Sequence, residues 1–249
     1  MSLDLAGRVA IVTGASRGIG LGIAHVLAAH DAHVILVARG AGDTLEQAEQ
    51  QVRSGSGRVL SLAGDVSDSA TAAAATRLAH REFKRLDVLV NNAGVLEDGL
   101  IGMISESRIR NTLAVNVAAV LHFTQAGARL MASGPSGSIV NVSSIIGTHG
   151  STGQMLYAAS KAAVIGATRS AAKELAPKGV RVNALAPGYI DTAMISALSP
   201  AIHQQRLDSI GMQRIGTVAD VADVALFLAS DLSRYVTGQV IGVDGAMLI

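Results

Sequence analysis

The chain has 249 residues, 49% of them hydrophobic and 16% charged, with a formal net charge of +1 and no cysteine. That length allows a sizeable core, and the near-neutral balance without a long basic run argues against nucleic acid or an anionic membrane as the main partner. Disulfides, thiolate metal sites and thiol nucleophiles are excluded. The start "MSLDLAGRVAIVTGAS" has no signal-like pattern and the uncharged stretches are broken by polar residues, so a cytoplasmic protein is expected.

In chain order, seven apolar, β-branched runs read as strands: "RVAIVTG" (8–14), "AHVILVAR" (32–39), "GRVLSLAGD" (57–65), "LDVLVNNAG" (86–94), "GSIVNVSS" (137–144), "GVRVNALAPG" (179–188) and "GQVIGVDG" (238–245). Each is too continuously apolar to leave one face in water, which is the pattern of a parallel sheet. Helical patterns fall between them, near 18–30, 43–54, 68–84, 105–131, 153–176 and 218–230. The alternation predicts one α/β domain over 1–249, an open, doubly wound, seven-stranded parallel sheet with helices on both faces. Residues 189–216 show no strand pattern; their Met, Leu and Ile without tight period predict a helical insertion that covers a substrate.

"TGASRGIG" (13–20) follows the first strand and opens the first helix, with Gly14, Gly18 and Gly20 spaced G-x-x-x-G-x-G. Missing side chains let the backbone turn tightly, and the free N–H groups of the helix start face an anion, for which a pyrophosphate is expected. Where the second strand ends, an acidic residue would accept the ribose hydroxyls of NAD. This chain has Ala38 and Arg39 there, with Arg17 inside the glycine turn. Guanidinium groups suit a 2′-phosphate, so NADP(H) is the expected cofactor.

"TGASRGIG", "NNAG" (91–94), "NVSS" (141–144), "YAASK" (157–161) and "APG" (186–188), in this order, resemble the short-chain dehydrogenase/reductase family, a Rossmann-type fold, and within it the bacterial 3-oxoacyl-acyl-carrier-protein reductases. The resemblance implies that Tyr157 is the acid/base, with Lys161, Ser144 and Asn116 completing the catalytic group; of the adjacent serines, Ser144 matches rather than Ser143. It implies cofactor contacts from Gly14, Ser16, Arg17, Gly18, Ile19, Gly20 and Arg39, from Asp65, Val66, Asn92, Ala93 and Gly94 on the adenosine side, from Tyr157 and Lys161, and from Pro187, Gly188, Ile190 and Thr192 near the nicotinamide. Asn116 is implied to hold a water that relays protons to Lys161.

Tyr157 and Lys161 are four apart and share one helix face. A free phenol titrates near ~10, and the nearby ammonium, helped by an oxidised nicotinamide, is expected to favour phenolate and lower that value. Ser144 can donate to a substrate oxygen as charge develops, while Tyr157 donates the proton. The histidines show no metal-ligand spacing, and no metal is expected; His149, between Ser144 and Tyr157, can reach substrate.

Met155, Leu156, Tyr189, Met194 and Ile195 predict an apolar pocket. The first reading is an NADPH-dependent reductase of 3-oxoacyl thioesters, with an acyl carrier protein as a partner. Against that partner, the turn "MASGPSGS" (131–138) carries no charge, and Arg129 and Lys178 are the cations near it. The second is an alcohol dehydrogenase or ketone reductase for a free small molecule. The third is a cofactor-sensing binding protein, which would need no proton donor. Helix 153–176 is small or apolar on most faces, predicting packing against another subunit; the resemblance implies a homotetramer, or a dimer.

Overall fold

The computed structural model describes residues 3–40, 43–192 and 200–248. The strands are β1 (Val9–Thr13), β2 (His33–Ala38), β3 (Val59–Ala63), β4 (Val88–Asn91), β5 (Gly137–Val142), β6 (Val180–Pro187) and β7 (Val240–Val243). They form one parallel sheet in the order β3-β2-β1-β4-β5-β6-β7. The expected seven-stranded α/β sheet is therefore observed.

Alternate residues along each strand point to opposite faces, which gives two cores. On one face Ala10, Val12, Val34 and Leu36 pack with α1 (Gly18–Ala29), α2 (Asp43–Val52) and α9 (Val218–Ala229). On the other, Val9, Ile11, Ile35 and Val37 pack with α3 (Ser69–Phe83), α5 (Ala119–Met131) and α7 (Met155–Leu175). Helices α1 and α9 approach so closely that a Cβ on Gly22 would lie 2.1 Å from Val218 Cγ1.

The helix expected over 105–131 is interrupted: α4 (Glu106–Leu113) runs into a π-helical turn (Ala114–Ala118) before α5. Such insertions tend to sit at functional sites, and this one carries Asn116. A short helix, α6 (Ile146–His149), was not signalled by the sequence. A buried chain of side chains runs beneath the site: Asn91 Nδ2 donates to Asn141 Oδ1 at 2.8 Å, and Asn141 Nδ2 donates to Thr168 Oγ1 at 2.9 Å. It ties β4 and β5 to α7.

Within the insertion, α8 (Pro200–Asp208) is helical as expected; Met194 and Ile195 lie outside the described residues. The stem is fixed at both ends. Asp191 N–H donates to Gly216 O, and Gly216 N–H donates to Tyr189 O. Met212 N–H donates to Gly245 O, and Leu248 N–H donates to Ser209 O. No helix among the described residues is long and apolar enough to cross a membrane.

Candidate active site

The chain begins its sheet at β1 and later returns to β4 beside it, so the connections leave β1 and β4 in opposite directions and open a crevice at their C-terminal ends. The sequence-predicted site residues follow strand C-termini: Gly14 after β1, Arg39 after β2, Asp65 after β3, Asn92 after β4, Ser144 after β5 and Gly188 after β6.

The glycine turn is built as the spacing requires. Gly14 and Gly18 have φ of +65° and +56°, the left-handed region open to glycine. A Cβ on Gly20 would lie 2.3 Å from Gly14 O. Asn92 Nδ2 donates to Thr13 O and Gly14 O at 3.0 and 3.2 Å, and Thr13 Oγ1 accepts from the N–H groups of Asn92 and Ala93. "NNAG" thus clamps the turn. Helix α1 is preceded by Arg17 and has no side-chain cap and no acid in its first turn, leaving its N-terminal N–H groups open to an anion. That cradle fits a dinucleotide pyrophosphate.

Ser16 and Ile19 are half-buried, and Arg17 and Arg39 are exposed. Neither arginine has an ion-pair partner among the described residues. Asp65 accepts from Ser67 Oγ and Ser67 N–H at 2.7 and 2.9 Å. Those bonds, then the Arg39 charge, hold its carboxyl below the usual range. Val66 is buried beside it. Across the crevice, Pro187 ends β6, Gly188 N–H donates to Val243 O, and Ile190 is buried against the stem. Thr192 reaches over the glycine turn: a Cβ on Gly18 would stand 3.8 Å from Thr192 Cγ2.

Tyr157, Lys161 and Ser144 meet beside this crevice. Lys161 is 4% exposed, its Nζ donates to Val142 O at 2.9 Å, and burial pulls its ammonium down to about 8. Burial pushes the Tyr157 phenol up, the Ser144 hydroxyl beside it pulls it down, and the Asp98 carboxylate raises it further. The expected lowering by Lys161 is not found: its Nζ lies 5.7 Å from the ring centroid, and desolvation of the phenolate dominates.

The two serines separate by geometry. Ser144 Oγ accepts from Ile146 N–H at 3.2 Å and lies at the Tyr157 hydroxyl. Ser143 Oγ donates to the carbonyl of Lys161 at 2.8 Å. Asn116 is fully buried; its side chain accepts from Val95 N–H at 2.8 Å and donates to Val95 O and Ser160 Oγ at 2.9 and 3.0 Å. Both amide donors are thereby used, so a relaying water has only acceptor positions of Asn116 to bind. Gly94 lies between Asn116 and Lys161: its Cβ would stand 3.3 Å from Lys161 Nζ and 3.4 Å from Asn116 Oδ1.

Of the residues expected to form an apolar pocket, Leu156 is buried in the protein and Met155 is 53% exposed. The Tyr189 hydroxyl is buried with no hydrogen-bond partner among the described residues, and its ring meets His203 edge-on. His149 is exposed, with Nδ1 2.7 Å from Thr148 Oγ1. Sequence reasoning missed Ser160, whose hydroxyl bridges Asn116 to the Tyr157 carbonyl, and Asp98. Ser160 could have been found as the polar residue in an alanine-rich turn. Asp98 carried no signal. Among the described residues, no group of three or more His, Cys, Asp or Glu is placed to hold a metal ion.

Residues 14–247 match the family described as enoyl-(acyl carrier protein) reductase. A 3-oxoacyl-[acyl-carrier-protein] reductase FabG of Chlamydia muridarum is 41% identical over 250 residues, covering 99% of this chain and 100% of the relative. One from Thermotoga maritima is 41% identical over 251 residues with the same coverage. The solved structure of a short-chain type dehydrogenase/reductase from Mycobacterium ulcerans matches with a TM-score of 0.94 at 33% identity, covering 98% of this chain and 90% of that one.

Proposed function

The chain belongs to the short-chain dehydrogenase/reductase family, and on that premise we propose that this oxidoreductase uses NADPH to reduce the ketone of a 3-oxoacyl thioester to the 3-hydroxyacyl thioester. The observation that carries the reading is the meeting of Tyr157, Ser144 and Lys161 beside an uncapped helix N-terminus. The Chlamydia and Thermotoga relatives, named for that reaction, support the thioester.

The α1 N-terminus and glycine turn would hold the pyrophosphate, Arg17 and Arg39 the 2′-phosphate, and Asp65, Val66, Asn92, Ala93 and Gly94 the adenosine side. Lys161 would hold the nicotinamide ribose, with Pro187, Gly188, Ile190 and Thr192 at the carboxamide. When bound, the nicotinamide supplies the hydride. Ser144 donates a hydrogen bond to the ketone oxygen as negative charge develops there. Tyr157 gives that oxygen its proton. A phenol kept protonated by burial is in the correct state for reduction. Lys161, pulled to about 8, can exchange a proton near neutral pH and recharge the tyrosine. The insertion, described over 189–192 and 200–216, would cover the bound substrate.

The description of the matched family names an enoyl thioester. A ketone is favoured because two hydroxyl groups, Ser144 and Tyr157, converge where an oxygen takes up charge and a proton. A second reading, a free small ketone or alcohol, is favoured by the uncharged turn at 131–138, which offers an acidic carrier protein no cation. The exposed small face of α7, with Ala159, Ala162, Ala163 and Gly166, supports assembly as a homotetramer, or a dimer.

The test is oxidation of NADPH and of NADH with acetoacetyl-CoA, with crotonyl-CoA as the enoyl control, in wild type and Tyr157→Phe. Turnover of acetoacetyl-CoA with NADPH, reduced about a thousandfold in the variant while NADPH still binds, is expected. Turnover of crotonyl-CoA instead would move the reaction to the double bond. Tight NADPH binding with no turnover of either would favour the free ketone.

A further inference from the structure

The loop that leaves β4 is fastened to the start of the catalytic helix. Gly99 N–H donates to Gly153 O at 2.7 Å. Gln154, the residue that opens α7, donates from Nε2 to Asp98 Oδ1 at 2.8 Å. Gln154 and Tyr157 are three residues apart at the first turn of α7, so they share one side of the helix. The Asp98 carboxylate consequently stands over the side that presents the Tyr157 phenol, and its charge adds to the upward push on that phenol.

The neighbouring charges do not neutralise it. Arg108 Nε is paired with Glu97 at 2.9 Å, and the other arm of Arg108 donates to the Asp98 carbonyl, not to its carboxylate. Lys161 is buried, with its Nζ turned to Val142 O. His149, on α6, is engaged with Thr148. Among the described residues Asp98 has no ion-pair partner. The loop beyond Asp98 and the first residue of α7 also carry exposed apolar side chains, Leu100, Ile101, Met103 and Met155.

Resting on the reductase reading above, we propose that Asp98 is a specificity-determining residue: it holds an unneutralised carboxylate at the substrate entrance, so the site takes uncharged 3-oxo esters, thioesters and ketones and rejects free 3-oxo acids. In a free 3-oxo acid the carboxylate is only two carbons from the reacting ketone, so it cannot be held away from Asp98. In an ester or thioester the same position is neutral. Repulsion between two unit charges several Å apart at a protein surface gives a discrimination of about tenfold.

The experiment compares kcat/KM for ethyl acetoacetate and for acetoacetate, with NADPH, in wild type and Asp98→Asn, at low and high salt. Asparagine still offers an acceptor to Gln154 Nε2, so the substitution removes charge and keeps the fastening. The expected wild-type preference for the ester is about tenfold, shrinking in Asp98→Asn and, because exposed charges are screened, in high salt. The salt series needs only the wild-type protein. Equal wild-type rates on the two substrates, or a preference that neither the substitution nor salt changes, overturns the proposal while leaving the reductase reading in place. A protein that reduces neither substrate, nor acetoacetyl-CoA, overturns both.

Discussion

Asn116 Nδ2 donates to Ser160 Oγ at 3.0 Å, across the seam between the π-helical turn and the helix that carries Tyr157. Ser160 Oγ passes the connection on, donating to the Tyr157 carbonyl at 2.8 Å. The same amide holds the N–H and C=O of Val95, just beyond "NNAG". One buried side chain therefore locks together the segment after β4, the interrupted helix and α7. Replacing Ser160 by Ala leaves an amide donor unsatisfied in the interior, which costs about 1–3 kcal/mol. Ser160→Ala is expected to lower the unfolding free energy by that amount, read as a lower denaturation midpoint, and to reduce kcat more than it raises the KM for NADPH. An unchanged midpoint would mean that the Asn116 amide finds another acceptor at no cost.

The neighbouring serines are expected to fail differently. Ser144→Ala removes the donor beside the Tyr157 hydroxyl, and loss of one such donor lowers kcat about a hundredfold or more with little effect on stability. Ser143→Ala instead frees the Lys161 carbonyl, so its main effect is on the melting temperature, with a smaller loss of kcat. Steady-state kinetics and thermal melts on both variants decide it. A larger kcat loss in Ser143→Ala reverses the two assignments.

The sheet was legible because seven continuous apolar runs, each beside a helical pattern, leave few alternatives to a doubly wound parallel topology. The crevice was legible because glycine spacing reports backbone conformation directly: Gly14 and Gly18 have the positive φ the turn requires. Other features depend on contacts far apart in sequence. Asp98 and Gln154 are hydrogen-bonded across 56 positions, and no local pattern announces that. The π-helical turn at Asn116 lies in an ordinary apolar helical stretch, where periodicity near 3.6 does not reveal one inserted residue. The Tyr157 shift failed for a related reason. Four-residue spacing placed Lys161 on the same face, but the shift follows desolvation of the phenolate, which depends on residues packed around it from elsewhere in the chain.

Arg39 stands exposed just beyond β2, where the expected NAD-binding acid is absent, and it acts electrostatically on Asp65. A charged hydrogen bond to a phosphate contributes about 1.5–3 kcal/mol. Arg39→Ala is therefore expected to weaken NADPH binding about tenfold or more and to leave NADH within about twofold. Direct binding titrations with the two nucleotides check this. Equal weakening of both would place Arg39 away from the 2′-phosphate.

Lys161 makes the pH dependence of stability informative. Its ammonium is pulled from 10.5 in the unfolded chain to about 8 by burial. Below about 8 both folded and unfolded forms carry the proton, and the folded protein bears the full cost of a buried charge. Between about 8 and 10.5 the unfolded state binds more protons, so stability rises with pH across that window as far as this residue is concerned. Lys161→Met removes the buried charge and is expected to be more stable to unfolding than wild type at pH 7, by about 3 kcal/mol less the lost bond to Val142 O. The two proteins should converge as pH passes through about 8 and rises toward 10.5. Turnover should be nearly abolished in the variant at every pH. A wild type that is the more stable at pH 7, with no convergence at higher pH, would show that the ammonium is held by favourable contacts rather than tolerated for its chemistry.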